Sequence, residues 1–207
     1  MYQPSHFLQT DRDRIAALVA AHPLATLVTR EDDDSLCADP VPLLWEPGGE
    51  HGVLRGHVAR ANPLWRRSAR PVLAVFNGPQ AYVSPSWYPT KQAHGKVVPT
   101  WNYAVVHVHA RLRAVEDETW LRGLLQRLTD AHEAHRPQPW RVEDAPPDFT
   151  GSLLRAIVGL ELEVLRVEAK WKLSQNRSAE DRQGVVDGLR QEPTGDAQDL
   201  ARWMTRP

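Results

Sequence analysis

Residues 97–113 read VVPTWNYAVVHVHARLR, and their alternation decides the fold class. Successive residues of a strand point to opposite faces, so two sets separate by parity. The even set, Val98, Thr100, Asn102, Ala104, Val106, Val108, Ala110 and Leu112, is mostly small and apolar. That composition suits the interior of a barrel. The odd set, Trp101, Tyr103, Val105, His107, His109, Arg111 and Arg113, is amphipathic. Such a face is expected to be covered by a ligand or a second subunit; the plainer alternative is cover by the chain's own helices.

Immediately upstream stands GPQAYVSPSWYPTKQAHGK, residues 78–96. Residues 78–103 hold two of the eight Trp, three of the four Tyr and four of the 17 Pro. Gly78-Pro79, Pro85, Pro89, Gly95 and Pro99 predict repeated breaks, so little of this stretch is expected to be helical. Lys91, His94 and Lys96 are expected in a loop rimmed by aromatics. Aromatic bodies beside cations and hydroxyls suit a planar anionic ligand. The bland reading is a Trp-rich core seam joined by a surface loop.

Outward from there, the chain alternates short strands with inserted helices. Thr10 or Asp11 caps a first helix with the stripe Ile15, Leu18 and Val19, stopped by Pro23. Residues 25–29 and 53–59 read as strands. Residues 36–45 read as a strand that Pro40 and Pro42 push to an edge or a bulge. Residues 60–63 turn into a short helix through Arg67, and the apolar run 72–76 reads as a central strand. Asp117 caps a helix with the stripe Trp120 or Leu121, Leu124, Leu125 and Leu128. After the Pro-rich connection 136–147, Asp148 caps a short helix through Val158, with Leu153, Leu154, Ile157 and Val158 expected to be buried. A strand from Gly159 changes phase, and a bulge near Val164 is expected to restore alternation. Ser178 and Asp181 form a capping box for a helix carrying Val185, Val186 and Leu189. The tail from Glu192 is expected to be a turn and a poorly anchored helix. Many short strands at near-regular spacing predict a mainly β, α+β architecture: a Greek-key barrel with peripheral helices rather than a βαβ sheet. The expected division is one domain over residues 1–190 and a C-terminal tail over 191–207.

Composition narrows the function classes. The 207 residues carry 25 Lys and Arg against 26 Asp and Glu, a formal net charge of −1. Global attraction to nucleic acid or to an anionic membrane is therefore not expected. Cys37 is the single cysteine, which fits a reducing compartment. The start MYQPSHFLQTDRDR has no cationic region followed by an apolar run, and no stretch approaches the ~20 apolar residues that span a bilayer. A cytoplasmic protein with no membrane association is expected.

Three clusters could hold phosphate. At the strand-to-helix turn His57, Val58, Ala59, Arg60, Ala61, Asn62, a guanidinium, an amide and helix N–H groups are expected to converge. The second cluster is Lys91 to Thr100, and the third runs over Lys170, Lys172, Ser174, Gln175, Asn176 and Arg177. Each reads equally well as a solvated charged surface. His107 and His109 could chelate a metal, but no third ligand stands at a recognisable spacing, so no metal is expected. His132 and His135 are three apart rather than four, which excludes the HExxH pattern. No GxSxG, P-loop, GxGxxG or CxxC motif occurs, and catalytic residues are not identified.

GPQAYVSPSWY, VPTWNYAVVHVHARL and KWKLSQNR, with GHVARANP upstream and MYQPSHF at the start, resemble the PaiB-type family of FMN-binding negative transcriptional regulators. The likeness runs from Met1 to about Leu189. It implies an FMN-binding split β-barrel, similar to the pyridoxamine-phosphate oxidases, in a homodimer with flavin at the subunit interface. It implies FMN phosphate at the turn of His57, Arg60 and Asn62. It also implies cofactor contacts from Pro99, Thr100, Trp101 and Asn102 and from Lys172, Ser174 and Gln175. The resemblance further implies repression of transcription, with DNA bound directly or through a partner protein; no helix-turn-helix is recognisable. Its alternatives are an FMN-dependent oxidoreductase and a haem-binding split barrel, the latter through His107 or His109. No matched acid–base pair stands out, so enzymatic turnover is not expected.

Overall fold

The computed structural model describes residues 1–205. Eight strands form one antiparallel sheet: β1 (Leu8–Gln9), β2 (Leu24–Arg30), β3 (Leu36–Pro42), β4 (Leu44–Glu46), β5 (Val53–Ala59), β6 (Pro71–Val83), β7 (Thr100–Val115) and β8 (Ile157–Lys172). The hydrogen-bonded order is β3-β2-β6-β7-β8-β5-β4, with β1 on β8. Strands distant in sequence are neighbours, as Greek-key connections produce and βαβ units do not. Six α-helices accompany them: α1 (Arg12–Ala21), α2 (Thr90–His94), α3 (Glu118–Glu133), α4 (Pro147–Arg155), α5 (Ala179–Gln191) and α6 (Gly195–Thr205). β3 and β4 end the order, where Pro40 and Pro42 withhold donors at little cost.

The chain divides into two units. One holds residues 22–76 and 107–167. Its core includes Leu27, Leu43, Leu54, Phe76, Leu112, Leu121, Leu124 and Leu160, all at most 2 % exposed. Burying side chains of this size contributes roughly 1.5–3 kcal/mol each. Gly159 passes under the ring of Trp120, where a Cβ would lie 2.3 Å from the indole. A chain of ion pairs runs through this unit. Arg113 and Arg55 both bond Glu161, Arg55 also bonds Glu46 at 2.8 Å, and Arg127 bonds Glu46 at 2.6 Å. Desolvation pushes Glu161 up, but Arg113 and Arg55 together outweigh it and hold its carboxyl below the ordinary range.

The other unit holds residues 1–21, 77–106 and those from Glu168 onward. Its core includes Leu18, Val83, Tyr88, Val106, Trp171, Val185, Val186, Leu189, Leu200 and Met204. Asp11 Oδ1 accepts from Asp13 and Arg14 N–H groups to start α1, and Ser178 Oγ accepts from the Asp181 N–H to start α5.

The parity read in 97–113 holds from Asn102 onward; of the even set, Val98 lies before β7 and is exposed, and Thr100 is half-buried. Asn102, Ala104, Val106, Val108, Ala110 and Leu112 are buried, whereas Trp101, Arg111 and Arg113 are exposed. Val105 alone of the odd set is buried.

Five expectations are corrected. Gly78-Pro79 is no turn; both lie inside β6. Gly78 is there for closeness: a Cβ would stand 2.9 Å from Leu18 Cδ1 and 3.2 Å from the Ala104 carbonyl. The β2 register on β6 ends at Val75, so the N–H that Pro79 lacks is not owed to that neighbour. The loop holding Lys91 and His94 contains α2. The Asp181 carboxylate accepts from the N–H and hydroxyl of Thr90, and Gly95 closes the helix at φ 64°. Leu153 is exposed and α4 begins at Pro147, one residue before the expected cap. The phase change in β8 falls beyond Val164, at Leu165–Glu168, where the paired strand changes from β5 to β1. Finally, the tail is anchored. α6 buries Ala197, Leu200, Ala201 and Met204, and Arg182 Nη2 donates to the Met204 carbonyl at 2.7 Å.

Candidate functional site

The expected cofactor residues fall into two groups. Pro99, Thr100, Trp101, Asn102, Lys172, Ser174 and Gln175 belong to one unit, and His57, Arg60 and Asn62 to the other.

In the first group, the end of β8 delivers Lys172 to the start of β7. Its ammonium donates to the Thr100 hydroxyl and the Trp101 carbonyl. Partial burial, then the positive charges of Lys170 and Arg177, lower its pKa from the usual lysine value. Lys170 is 8 % exposed, donates to the Tyr2 carbonyl at 3.2 Å and lies about equally over the rings of Tyr2 and Tyr103, at 5.6 and 5.5 Å. Arg177 lies over the Tyr88 ring at 5.0 Å. Among the described residues no carboxylate forms an ion pair with Lys170, Lys172 or Arg177. Lys172, with the charges of Lys170 and Arg177 acting on it and no ion-paired carboxylate, favours an anion.

The turn after β8 is self-supporting. Gln175 Oε1 accepts from the Leu173 N–H at 2.7 Å, and its Nε2 donates to the Trp171 carbonyl at 2.6 Å. These bonds hold Ser174 in the left-handed region, at φ 61°. Asn102 Nδ2 donates to Ser174 Oγ at 2.8 Å, while the buried Asn102 Oδ1 has no partner among the described residues. Asn102 and Ser174 are 1 % and 3 % exposed, so they position the strand and turn from beneath. Pro99 is exposed just before β7.

In the second group, Arg60 leaves β5 and is held on three sides. Its Nε donates to the Arg155 carbonyl at 2.9 Å, Nη2 to the Ile157 carbonyl at 3.2 Å, and Nη1 pairs with Glu116. Asn62 caps the 3₁₀ turn Pro63–Arg67. Its Oδ1 takes the Leu64 N–H at 2.9 Å, and its Nδ2 donates to Asp39 at 3.0 Å. The expected free N–H groups are thus partly used by Asn62 itself. His57 is half-buried, its Nδ1 lacks a partner among the described residues, and burial lowers its pKa.

The turn nevertheless fits a phosphate. Arg60 and Glu116 have side chains 40 % and 56 % exposed, and an ion pair that open is worth roughly 0–1 kcal/mol. A dianion taking two guanidinium bonds exceeds that.

Sequence reading did not find Glu116 as the partner of Arg60, nor Tyr2 and Tyr103 as the rings flanking Lys170. Nothing local marks Tyr2; the strand parity placed Tyr103 on the right face. Among the described residues there is no cluster of three or more metal-ligating side chains. His109 meets Arg166 Nη2 at 3.0 Å.

The family model described as "Putative FMN-binding domain" matches residues 1–166. The chain belongs to this family. FMN is the cofactor of this family, and the cationic donors above are compatible with it. The Bacillus subtilis protein named protease synthase and sporulation protein PAI 2 is 34 % identical over 206 residues, covering 99 % of this chain and 96 % of that one. Two solved structures share the fold at low identity. The FAD and haem binding protein of Mycobacterium smegmatis aligns at TM-score 0.61 and 19 % identity, over 84 % of this chain and 77 % of its own. The flavocytochrome Anf3 of Azotobacter vinelandii aligns at TM-score 0.59 and 14 % identity, over 84 % and 74 %. The fold of this FMN-binding family member is thus the split β-barrel with peripheral helices.

Proposed function

We propose that this family member is a flavin-dependent regulator rather than an enzyme: a cytoplasmic homodimer that represses transcription, directly or through a partner protein. The likeness of nearly the whole chain to the sporulation protein of Bacillus subtilis supports it. Arg60 and Asn62 are proposed to hold the FMN phosphate, with Glu116 yielding its place. His57 supports the strand that carries them. In their own unit, Lys172, the Thr100 hydroxyl and the Trp101 backbone are proposed to offer polar contacts to flavin, with Pro99, Asn102, Ser174 and Gln175 setting their positions. When bound, FMN supplies a two-electron redox centre. The chain's part is to bind and orient it, and to bias one conformation or assembly over another by differential affinity.

The face of β7 carrying Tyr103, His107 and His109, ending at Trp101, is the proposed dimer contact. No helix among the described residues is long and apolar enough to cross a membrane. The test is promoter DNA retardation by the FMN-loaded protein, with and without candidate partner proteins, beside NADH turnover. Retardation that depends on flavin loading, with turnover well below about 1 per second, is the expected result. Rapid aerobic NADH oxidation without any effect on DNA would replace the regulator with an oxidoreductase.

A further inference from the structure

We propose a second ligand site, for an organic ammonium ion, in the open cavity of about 660 Å³ beside the indole of Trp101. Tyr82 and Trp101 form one wall. Their rings meet edge to face, with centroids 6.5 Å apart and planes at 74°. Both residues are about half exposed, at 48 % and 52 %. Glu192 and Asp196 also line it, just past the end of α5 and at the start of α6. Neither carboxylate has an ion pair among the described residues, and no lysine or arginine lines the cavity.

Charge decides the occupant. Two unneutralised carboxylates and two π-faces attract a cation and repel an anion. The volume exceeds what a bare metal ion needs, and no side-chain set for metal ligation is present among the described residues. An alkylammonium ion matches both kinds of lining group, the aromatic rings and the carboxylates. A flavin phosphate does not, so this cavity is distinct from the anion-binding groups Arg60 and Lys172. Trp101 belongs to both: its carbonyl receives Lys172, and it lines the cavity. The inference does not rest on the flavin reading.

The probe is choline, with 3,3-dimethylbutan-1-ol as its neutral isostere, titrated by ligand-observed NMR into the full chain with and without saturating FMN. Choline is expected to bind at least ten-fold more tightly than the alcohol in both states. Glu192→Gln with Asp196→Asn, both exposed and conservative, should weaken choline about ten-fold while leaving FMN affinity unchanged. Trp101→Leu should abolish the preference for choline over the alcohol; its circular dichroism and melting curve establish that the variant is folded. Equal binding of choline and alcohol, no binding of either, or loss of choline binding on FMN saturation would each overturn the proposal.

Discussion

The guanidinium of Arg60 is held by Glu116 in an exposed ion pair while its other nitrogens donate to the carbonyls of Arg155 and Ile157. The carbonyls fix the plane of the group, and the carboxylate takes its remaining nitrogen, Nη1. This arrangement presents a pre-oriented donor whose native counter-charge is weakly held.

Arg60→Ala should therefore weaken FMN about ten- to a hundred-fold, since a charge-assisted bond is worth roughly 1.5–3 kcal/mol. Glu116→Gln should leave FMN affinity unchanged or raise it several-fold, because the competitor is removed. Calorimetric titration of both variants checks this. Weakening by Glu116→Gln would show that the ion pair supports the site rather than guarding it.

Gly188→Ala should destabilise the unit containing α5. A Cβ there would lie 2.3–2.5 Å from the ring atoms of Trp87, which cannot yield as a flexible chain end would. Overpacking of this kind costs typically about 1–3 kcal/mol. Urea unfolding of the variant beside Gly195→Ala, where a Cβ meets nothing within 4 Å and the backbone has no positive φ, separates the clash at Gly188 from loss of glycine itself.

Stability should depend on pH through His57. Its folded pKa is lowered from 6.5 by burial. The unfolded chain thus gains a proton first as pH falls, so stability is full above about 6.5 and declines toward the folded pKa. The decline is at most about 1.4 kcal/mol per pH unit for one group. In flavin-free protein, His57→Gln should flatten the denaturation midpoint between pH 7 and 5. An unchanged slope would assign the dependence to other groups.

Local pattern made much of this molecule legible. The parity of β7, the Asp11, Asp117 and Ser178 caps and the edge position of β3 rest on neighbours close in sequence. The corrections came where a distant residue decides. Gly78 needs Leu18 and Ala104, α2 needs Asp181, and the phase of β8 follows a change of paired strand. The anchoring of α6 was legible in the spacing Ala197, Leu200, Ala201 and Met204, which is one helical face. For the candidate site, the types of residue were readable and their partners were not. Glu116 is 56 residues from Arg60 and Thr100 is 72 from Lys172, and no local rule links either pair.

The most direct test of the account is titration of the purified, flavin-free protein with FMN, followed by flavin absorption and emission. The account predicts saturable binding at one FMN per chain, with a perturbed flavin spectrum and competition by inorganic phosphate. A flavin spectrum unchanged by excess protein would contradict it.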